Sequence, residues 1–366
     1  MKILIASDSY KGSLTSLEVA KIIQEGFNTI LDNPTYDVIS MADGGEGTIA
    51  ALTTKTIKLK ALNSDGTIID TYYGHIDQDR AIIEMATING ITLVDNKNIQ
   101  SYNTYGTGQL IVDALNKGYK EIYLAIGGSA TNDGGIGMAS ALGIKFLDIN
   151  NNELPPIPIN LKKIKSIDYS RLNSKIKNTK IIVMCDVNNP LLGKNGASYV
   201  YAKQKGASDK DIKELDEGLS HLAKVINNNQ ELTPGAGAAG GLGYGLLSFV
   251  GASLKPGIET VMDITDFDNH VKDCDLVITG EGRLDIQSLN GKVPIGVSKE
   301  ASKYGIKTIA IVGCLGDDTE SLDDYFLEIQ PCTTKKLTKQ EIKDQAKENL
   351  SNASIIVANK IKKLFK

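Results

Sequence analysis

The sequence contains no tryptophan, and its 14 tyrosines and 6 phenylalanines make aromatics only 5% of 366 residues. Stacking platforms for single-stranded nucleic acid are therefore few. A basic surface is missing as well: 40 Lys and Arg against 44 Asp and Glu leave a net charge of −4, which argues against a nucleic-acid partner. The four cysteines, Cys185, Cys274, Cys314 and Cys332, stand far apart without a CxxC pair, and three histidines are too few to complete a zinc site with them. Three of these cysteines end or border apolar strand-like runs, so they read as buried, reduced thiols. No apolar run approaches a membrane span, and the opening Lys2-Ile3-Leu4-Ile5-Ala6 is too short for a signal peptide. A cytoplasmic protein without a membrane partner is expected. A Walker A loop is absent too: Gly193-Lys194-Asn195 and Gly291-Lys292-Val293 lack both the upstream glycine and the following Ser or Thr. The HRD and DFG signatures of protein kinases are also missing. A phosphate-handling enzyme here must use another architecture.

Glycine, by contrast, is plentiful at 36 residues, and it is clustered. The longest cluster is Gly127-Gly128-Ser129-Ala130-Thr131-Asn132-Asp133-Gly134-Gly135, between a strand-like run (Glu121 to Ile126) and a helix start (Ile136 to Leu142). Ordinary connections need only a few turn residues. A stretch without bulky side chains lets ligand atoms approach the backbone, and N–H groups at a helix start suit an anion. Ser129, Thr131 and Asp133 add side-chain donors and a metal-type carboxylate.

The chain opens as a βα unit, with strand Ile3 to Ala6 and then a helix. Thr15 to Glu18 fits a capping box, and Ala20, Ile23, Phe27 and Ile30-Leu31 have the period of a one-faced helix. Strand Tyr36 to Ser40, the loop Ala42 to Gly47 and a helix through Leu52 follow. From Lys55 the texture changes: Ile57, Leu59 and Ala61 alternate with polar residues, and Asp65-Gly66 marks a hairpin turn. Near residue 274 the opening texture returns, with strands at Asp275 to Thr279, Thr308 to Val312 and Asp324 to Ile329 and a helix at Pro294 to Lys303. Short strands alternating with helices imply parallel crossovers. The expected fold is α/β with two domains. Residues 1–60 plus 290–366 form a discontinuous flavodoxin/Rossmann-like parallel-sheet domain, and residues 61–289 form an inserted mixed α/β domain carrying the glycine-rich loops. The final helix, about Lys339 to Leu364, is amphipathic and basic, with a solvated face.

Gly235-Ala236-Gly237-Ala238-Ala239-Gly240 spells GxGxxG, with Glu259 near the spacing of a ribose-binding acid. The dinucleotide fingerprint requires a preceding strand, whereas Asn227 to Glu231 is polar and non-periodic. A phosphate loop opening a helix (Leu242 to Phe249) fits better, and tight packing without ligand is the alternative. Lys11, just before a helix, either meets phosphate oxygens at that N-terminus or is an exposed loop lysine. Asp8, Asp43, Asp186, Glu281 and Asp285 all follow strands. Each alone reads as a cap or turn residue; together they suggest Mg²⁺ held largely through water, plus a base for a hydroxyl.

Eight blocks, in order, resemble the bacterial type I glycerate kinase family, which is distinct from P-loop enzymes. They are Asp8 to Ser13, Ala42 to Thr48, Tyr105 to Leu110, Gly127 to Gly135, Cys185 to Leu191, Gln204 to Ala207, Pro234 to Gly243 and Ile278 to Arg283. Departures are peripheral to the charged positions: Tyr10 where the family usually has Phe, Tyr201-Ala202-Lys203 before Gln204, and Ser288 in place of Thr. The resemblance implies a site in the cleft between the two domains and ATP-dependent phosphorylation of D-glycerate, with 2-phosphoglycerate favoured over 3-phosphoglycerate. A kinase of a related hydroxy acid, an NAD(P)-linked hydroxy-acid dehydrogenase and a non-catalytic nucleotide sensor are the alternatives.

On this resemblance the cofactors are ATP and Mg²⁺, and a homodimer is compatible with it. Lys11 would bind the transferring phosphoryl group, with Lys292 as a second cation and Asp133 as the base. Asp43, Asp186 and Asp285 would serve the metal, Asp186 also counting as catalytic. Asp8, Ser9, Ser129, Thr131, Asn132 and Arg283 would contact glycerate, Arg283 through its carboxylate. Gly127, Gly128, Gly235, Gly237, Gly240, Gly241 and Glu281 would serve the nucleotide.

Overall fold

The computed structural model describes residues 1–364 apart from 46, 95–97, 290, 318 and 336. Its two main sheets use strands β1 (Lys2–Ser7), β2 (Thr35–Ser40), β3 (Lys55–Leu62), β4 (Ile68–His75), β5 (Arg80–Glu84), β6 (Glu121–Ala125), β7 (Lys180–Met184), β8 (Ser253–Lys255), β9 (Leu276–Thr279), β10 (Thr308–Val312) and β11 (Glu328–Pro331). The helices that matter here are α1 (Ser16–Asn28), α2 (Tyr105–Lys117), α3 (Ile136–Ala141), α4 (Asp209–Ile226), α5 (Ala238–Val250), α6 (Val293–Lys303) and α7 (Lys339–Leu364). The chain divides into two compact units, Met1–Asp43 with Gly257–Lys366, and Gly44–Pro256.

The first unit carries an all-parallel sheet in the order β11-β10-β9-β1-β2. Counted within the unit this is the flavodoxin-like order, and the strand sequence reverses direction between β1 and β9. Ile3 and Ile5 of β1 pair with Leu276 and Ile278 of β9. These four are buried with Val19, Ile23 and Phe27 of α1 and Leu350, Val357 and Ile361 of α7. The continuous apolar strands are what a sheet covered on both faces needs. The capping box is present: Thr15 Oγ1 accepts from the Glu18 amide at 3.3 Å, and Glu18 Oε2 accepts from the Thr15 amide at 2.9 Å. Among the described residues no helix is long and apolar enough to cross a membrane, and α7 buries one stripe instead.

The second unit carries a mixed sheet, β8-β7-β6-β5-β4-β3, parallel from β8 to β5 and antiparallel at β5/β4 and β4/β3. Gly66, at φ +89°, closes the β3–β4 hairpin, with Leu62 opposite Ile68. Polar–apolar alternation in β3 puts Ile57, Leu59 and Ala61 toward the core with α2 behind them.

Both unit boundaries fall earlier than the expected residues 60 and 290. The short helix Thr48–Leu52 belongs with the second unit, where the Ile49 amide donates to Glu84 Oε1 at 2.5 Å. Strand β9 belongs with the first, because β1 and β10 flank it. Texture along the chain does not reveal a strand's partners. The expected strand from Asp324 is also corrected: Glu320–Tyr325 is a 3₁₀ turn and β11 starts at Glu328.

Candidate active site

Ligands of open α/β sheets bind beyond the carboxyl ends of the strands, where the strand order reverses. In the first unit that point lies between the loops after β1 and β9. A cleft of about 950 Å³ opens there, lined by Asp8, Lys11, Asp43, Glu281, Arg283 and Lys292 among others. The β1 loop is held from several sides. Tyr10 is buried and its hydroxyl donates to the Ile311 carbonyl at 2.7 Å, while Ser13 Oγ donates to the Tyr10 carbonyl and Gly12 turns at φ +79°. Lys11 is thereby left exposed at the mouth of the cleft. Asp8 Oδ1 accepts from the Ser9 amide at 2.6 Å and from the Ser9 hydroxyl at 3.3 Å.

The β9 loop requires Gly280, because a Cβ there would lie 2.0 Å from the Ile311 carbonyl oxygen. Glu281 is buried; it accepts from Ser288 Oγ at 2.7 Å and lies 3.4 Å from Lys292 Nζ. Burial raises the Asp8 pKa to about 7, Asp43 and Glu281 push it the same way, and the Ser9 amide and Lys11 oppose. Burial also raises Glu281, against Ser288 and Lys292. Hard carboxylate oxygens beside lysines form an anionic pocket with cations at its edge, suited to a magnesium-bound phosphate chain. Among the described residues no group of three or more His, Cys, Asp or Glu side chains is placed to hold a metal. A small hard cation that keeps its waters needs only one or two carboxylates, and Asp8 and Asp43 are the carboxylates of this cleft that could serve.

Other residues expected at the site have different surroundings. Asp285 accepts from the Gln287 amide at 3.0 Å and from Arg283 Nε at 3.2 Å, so it holds a turn and steers Arg283. Asp186 is exposed and belongs to the second unit, whereas Asp43 belongs to the first. Glu46, inside the expected Ala42–Thr48 block, lies outside the described residues.

In the second unit the run 127–135 splits into an open end and a closed end. Gly127 and Gly128 are exposed, and a Cβ on either would meet nothing closer than 3.5 Å. Asp133 is 0% exposed. Its carboxylate accepts from the Thr104 amide and hydroxyl, both at 2.8 Å, and from the Gly135 and Gly137 amides, both at 3.0 Å. Burial raises its pKa while those donors lower it. Such a carboxylate ties α2 to the start of α3; the expected base thus has no exposed surface and sits among three amide donors and one hydroxyl donor. Thr131 and Asn132 are also 0% exposed, and Thr131 Oγ1 and Asn132 Oδ1 lack a hydrogen-bond partner.

Lys205, inside the Gln204 to Ala207 block, is a residue of this region that its sequence context alone does not single out. It is 3% exposed, and its Nζ donates to Ser129 Oγ and the Thr131 carbonyl. Its small neighbours Ala202, Gly206 and Ala207 were the available signal for burial.

The expected phosphate loop at Gly235, Gly237, Gly240 and Gly241 is tightly packed. All four are buried. A Cβ on Gly240 would lie 2.0 Å from the Thr131 carbonyl oxygen, and one on Gly237 would lie 2.2 Å from that of Pro190. The amides of 237, 238 and 241 donate to carbonyls of 189, 235 and 237. These glycines permit close backbone packing. Residues 239–241 have left-handed φ/ψ, so regular helix begins at Leu242, as the sequence pattern indicates.

Comparison with known proteins adds a separate line of support. Residues 3–362 match the family described as the glycerate kinase family. A protein of Halalkalibacterium halodurans named glycerate kinase is 46% identical over 340 residues, 89% of each chain. A protein of Escherichia coli named glycerate 2-kinase is 44% identical over 339 residues, 90% of this chain and 89% of that one. A crystal structure from Salmonella typhimurium, provisionally named glycerate kinase 2, superposes with a TM-score of 0.91 at 38% identity, covering 99% of this chain and 98% of that one.

Proposed function

The chain belongs to the glycerate kinase family, and on that premise we propose that it transfers the γ-phosphoryl group of ATP to D-glycerate, at the 2-hydroxyl. The observation that carries the reading is the cluster of Asp8, Lys11, Asp43, Glu281 and Lys292 around one cleft at the strand-order reversal. Phosphoryl transfer depends mainly on positioning and charge neutralisation. Lys11 is the exposed cation on the short β1 loop, suited to the transferring group as its charge spreads over the phosphoryl oxygens. Lys292, aligned by Glu281, is the second cation. Arg283, exposed and steered by Asp285, takes the glycerate carboxylate as a forked donor.

Asp43 and Asp8 would hold the magnesium ion, which neutralises phosphate charge when bound. Two like charges, one of them largely buried, are costly side by side without a cation. This reading keeps Ser9 as a brace of Asp8 rather than a direct substrate contact. In the second unit Gly127 and Gly128 remain the backbone open to an anion. The 2-hydroxyl is favoured by the name of the Escherichia coli relative alone.

The test is ADP formation with Mg-ATP and a panel of small hydroxy acids. D-Glycerate is expected to drive turnover, with L-glycerate and lactate far behind. Equal ADP release with and without any acid contradicts a kinase.

A further inference from the structure

A cleft of about 950 Å³ is near the upper end of the range for small-molecule sites, roughly 300–1,000 Å³. A small hydroxy acid leaves most of it empty. The cleft runs from the ends of β1 and β9, where Asp8, Lys11 and Glu281 stand, past Gly313–Gly316 after β10, to Pro331–Lys335 after β11 and the start of α7. Neighbouring strands lie roughly 4.8 Å apart, so the three steps from β1 to β11 cover about 14 Å. That is the reach of an extended nucleoside triphosphate.

The two ends differ in chemistry. The β1/β9 end is charged. The β11/α7 end carries Ile342, 41% exposed, with Leu337 and Ala346 also lining it, while Leu315, 40% exposed, lines the middle of the cleft, paired with Leu284 of the loop after β9. Large apolar side chains gathered in a concave wall mark a place where a ligand's apolar face is covered. On α7, Ile342, Ala346 and Asn349 follow the i, i+4, i+7 spacing of one helix face. The helix's apolar stripe continues inward as Leu350, Ala353 and Val357, which are buried in the core. The first turns of α7 thus carry that stripe past the core onto the cleft. Asn349 places an amide there, able to donate and accept at a base edge.

We infer that this wall, formed by Leu337, Ile342 and Ala346, seats the purine base of ATP, while the triphosphate extends toward Lys11 and Lys292. The inference rests on the kinase reading and replaces the glycine loop of 235–241 as the nucleotide's anchor. The natural chain has no tryptophan, so Ile342→Trp introduces the only indole, at the proposed stacking surface.

In the full-length variant, ATP and ADP are expected to quench indole emission saturably, while inorganic tripolyphosphate and D-glycerate leave it unchanged. In a second variant, Ile342→Asp, the KM for ATP is expected to rise at least about tenfold, with the KM for D-glycerate and the melting temperature near wild type. Equal quenching by tripolyphosphate, or an unchanged KM for ATP, overturns the seat. ATP binding to both proteins by calorimetry with unchanged indole emission also overturns the seat, and leaves the kinase reading standing. Absence of ATP binding to the wild-type protein overturns both.

Discussion

The ammonium of Lys205 lies 2.7 Å from the Ser129 hydroxyl, in a position only 3% exposed to solvent. Its other acceptor is the Thr131 carbonyl at 2.8 Å, so neither bonded partner carries a charge. Burial therefore lowers the Lys205 pKa from 10.5 to about 7, with Asp133 opposing. The unfolded chain then holds more protons than the folded one between pH 7 and 10.5, and stability rises with pH across that window. Below pH 7 the contribution is lost, because the buried lysine must be charged. Lys205→Met is expected to flatten this rise. Urea melts of both proteins at pH 7 and pH 9.5 test it, and parallel changes in stability would show that Lys205 is charged throughout.

Asp133 is the anchor of the same region. Replacing it with Asn keeps the shape but presents an amide to donors that need an acceptor. The expected loss of stability is about 2–4 kcal/mol, read by chemical denaturation. A variant as stable as wild type that has lost only turnover would instead restore Asp133 as a base.

Asp43 raises the pKa of Asp8, second only to burial. Asp43→Asn removes that like charge, so the Asp8 carboxyl is expected to titrate below about 7 yet stay above the ordinary carboxylate range, because burial remains. Carboxyl-carbon NMR of the metal-free protein follows it directly. An unmoved Asp8 titration would separate the two carboxylates. In the same variant the Mg²⁺ concentration needed for half-maximal turnover is expected to increase severalfold.

Much of the fold is legible because periodicity and turn chemistry are local. The Thr15–Glu18 capping box, the Asp65-Gly66 hairpin and the one-faced α7 each follow from a few neighbouring residues. The ownership of β9 is not local, since it depends on β1, 273 residues away, and the unit boundaries fall earlier accordingly. Glycine is ambiguous in a different manner. The lack of a side chain serves close ligand approach and close backbone packing alike. Gly127 and Gly128 stand open, whereas Gly237 and Gly240 are pressed against carbonyl groups. Carboxylates carry the same ambiguity: Asp8 and Asp43 face a cleft, while Asp133 and Asp285 satisfy backbone donors. Strand order locates the first pair, and hydrogen-bond partners describe the second.

Lys11 is the residue on which the proposed chemistry depends most. It lines the cleft, is exposed, and has a loop braced by Tyr10 and Ser13 behind it. Lys11→Met removes the cation and leaves those braces in place. Turnover is expected to fall by about 10²-fold or more, with the melting temperature close to wild type.

The most direct measurement is ³¹P NMR of Mg-ATP and D-glycerate incubated with the wild-type protein and, in parallel, with Lys11→Met. The account predicts a growing 2-phosphoglycerate signal with wild type and almost none with the variant. A 3-phosphoglycerate signal would contradict the choice of hydroxyl, equal signals from both proteins would contradict the role of Lys11, and no phosphorylated product from folded wild-type protein would contradict the kinase itself.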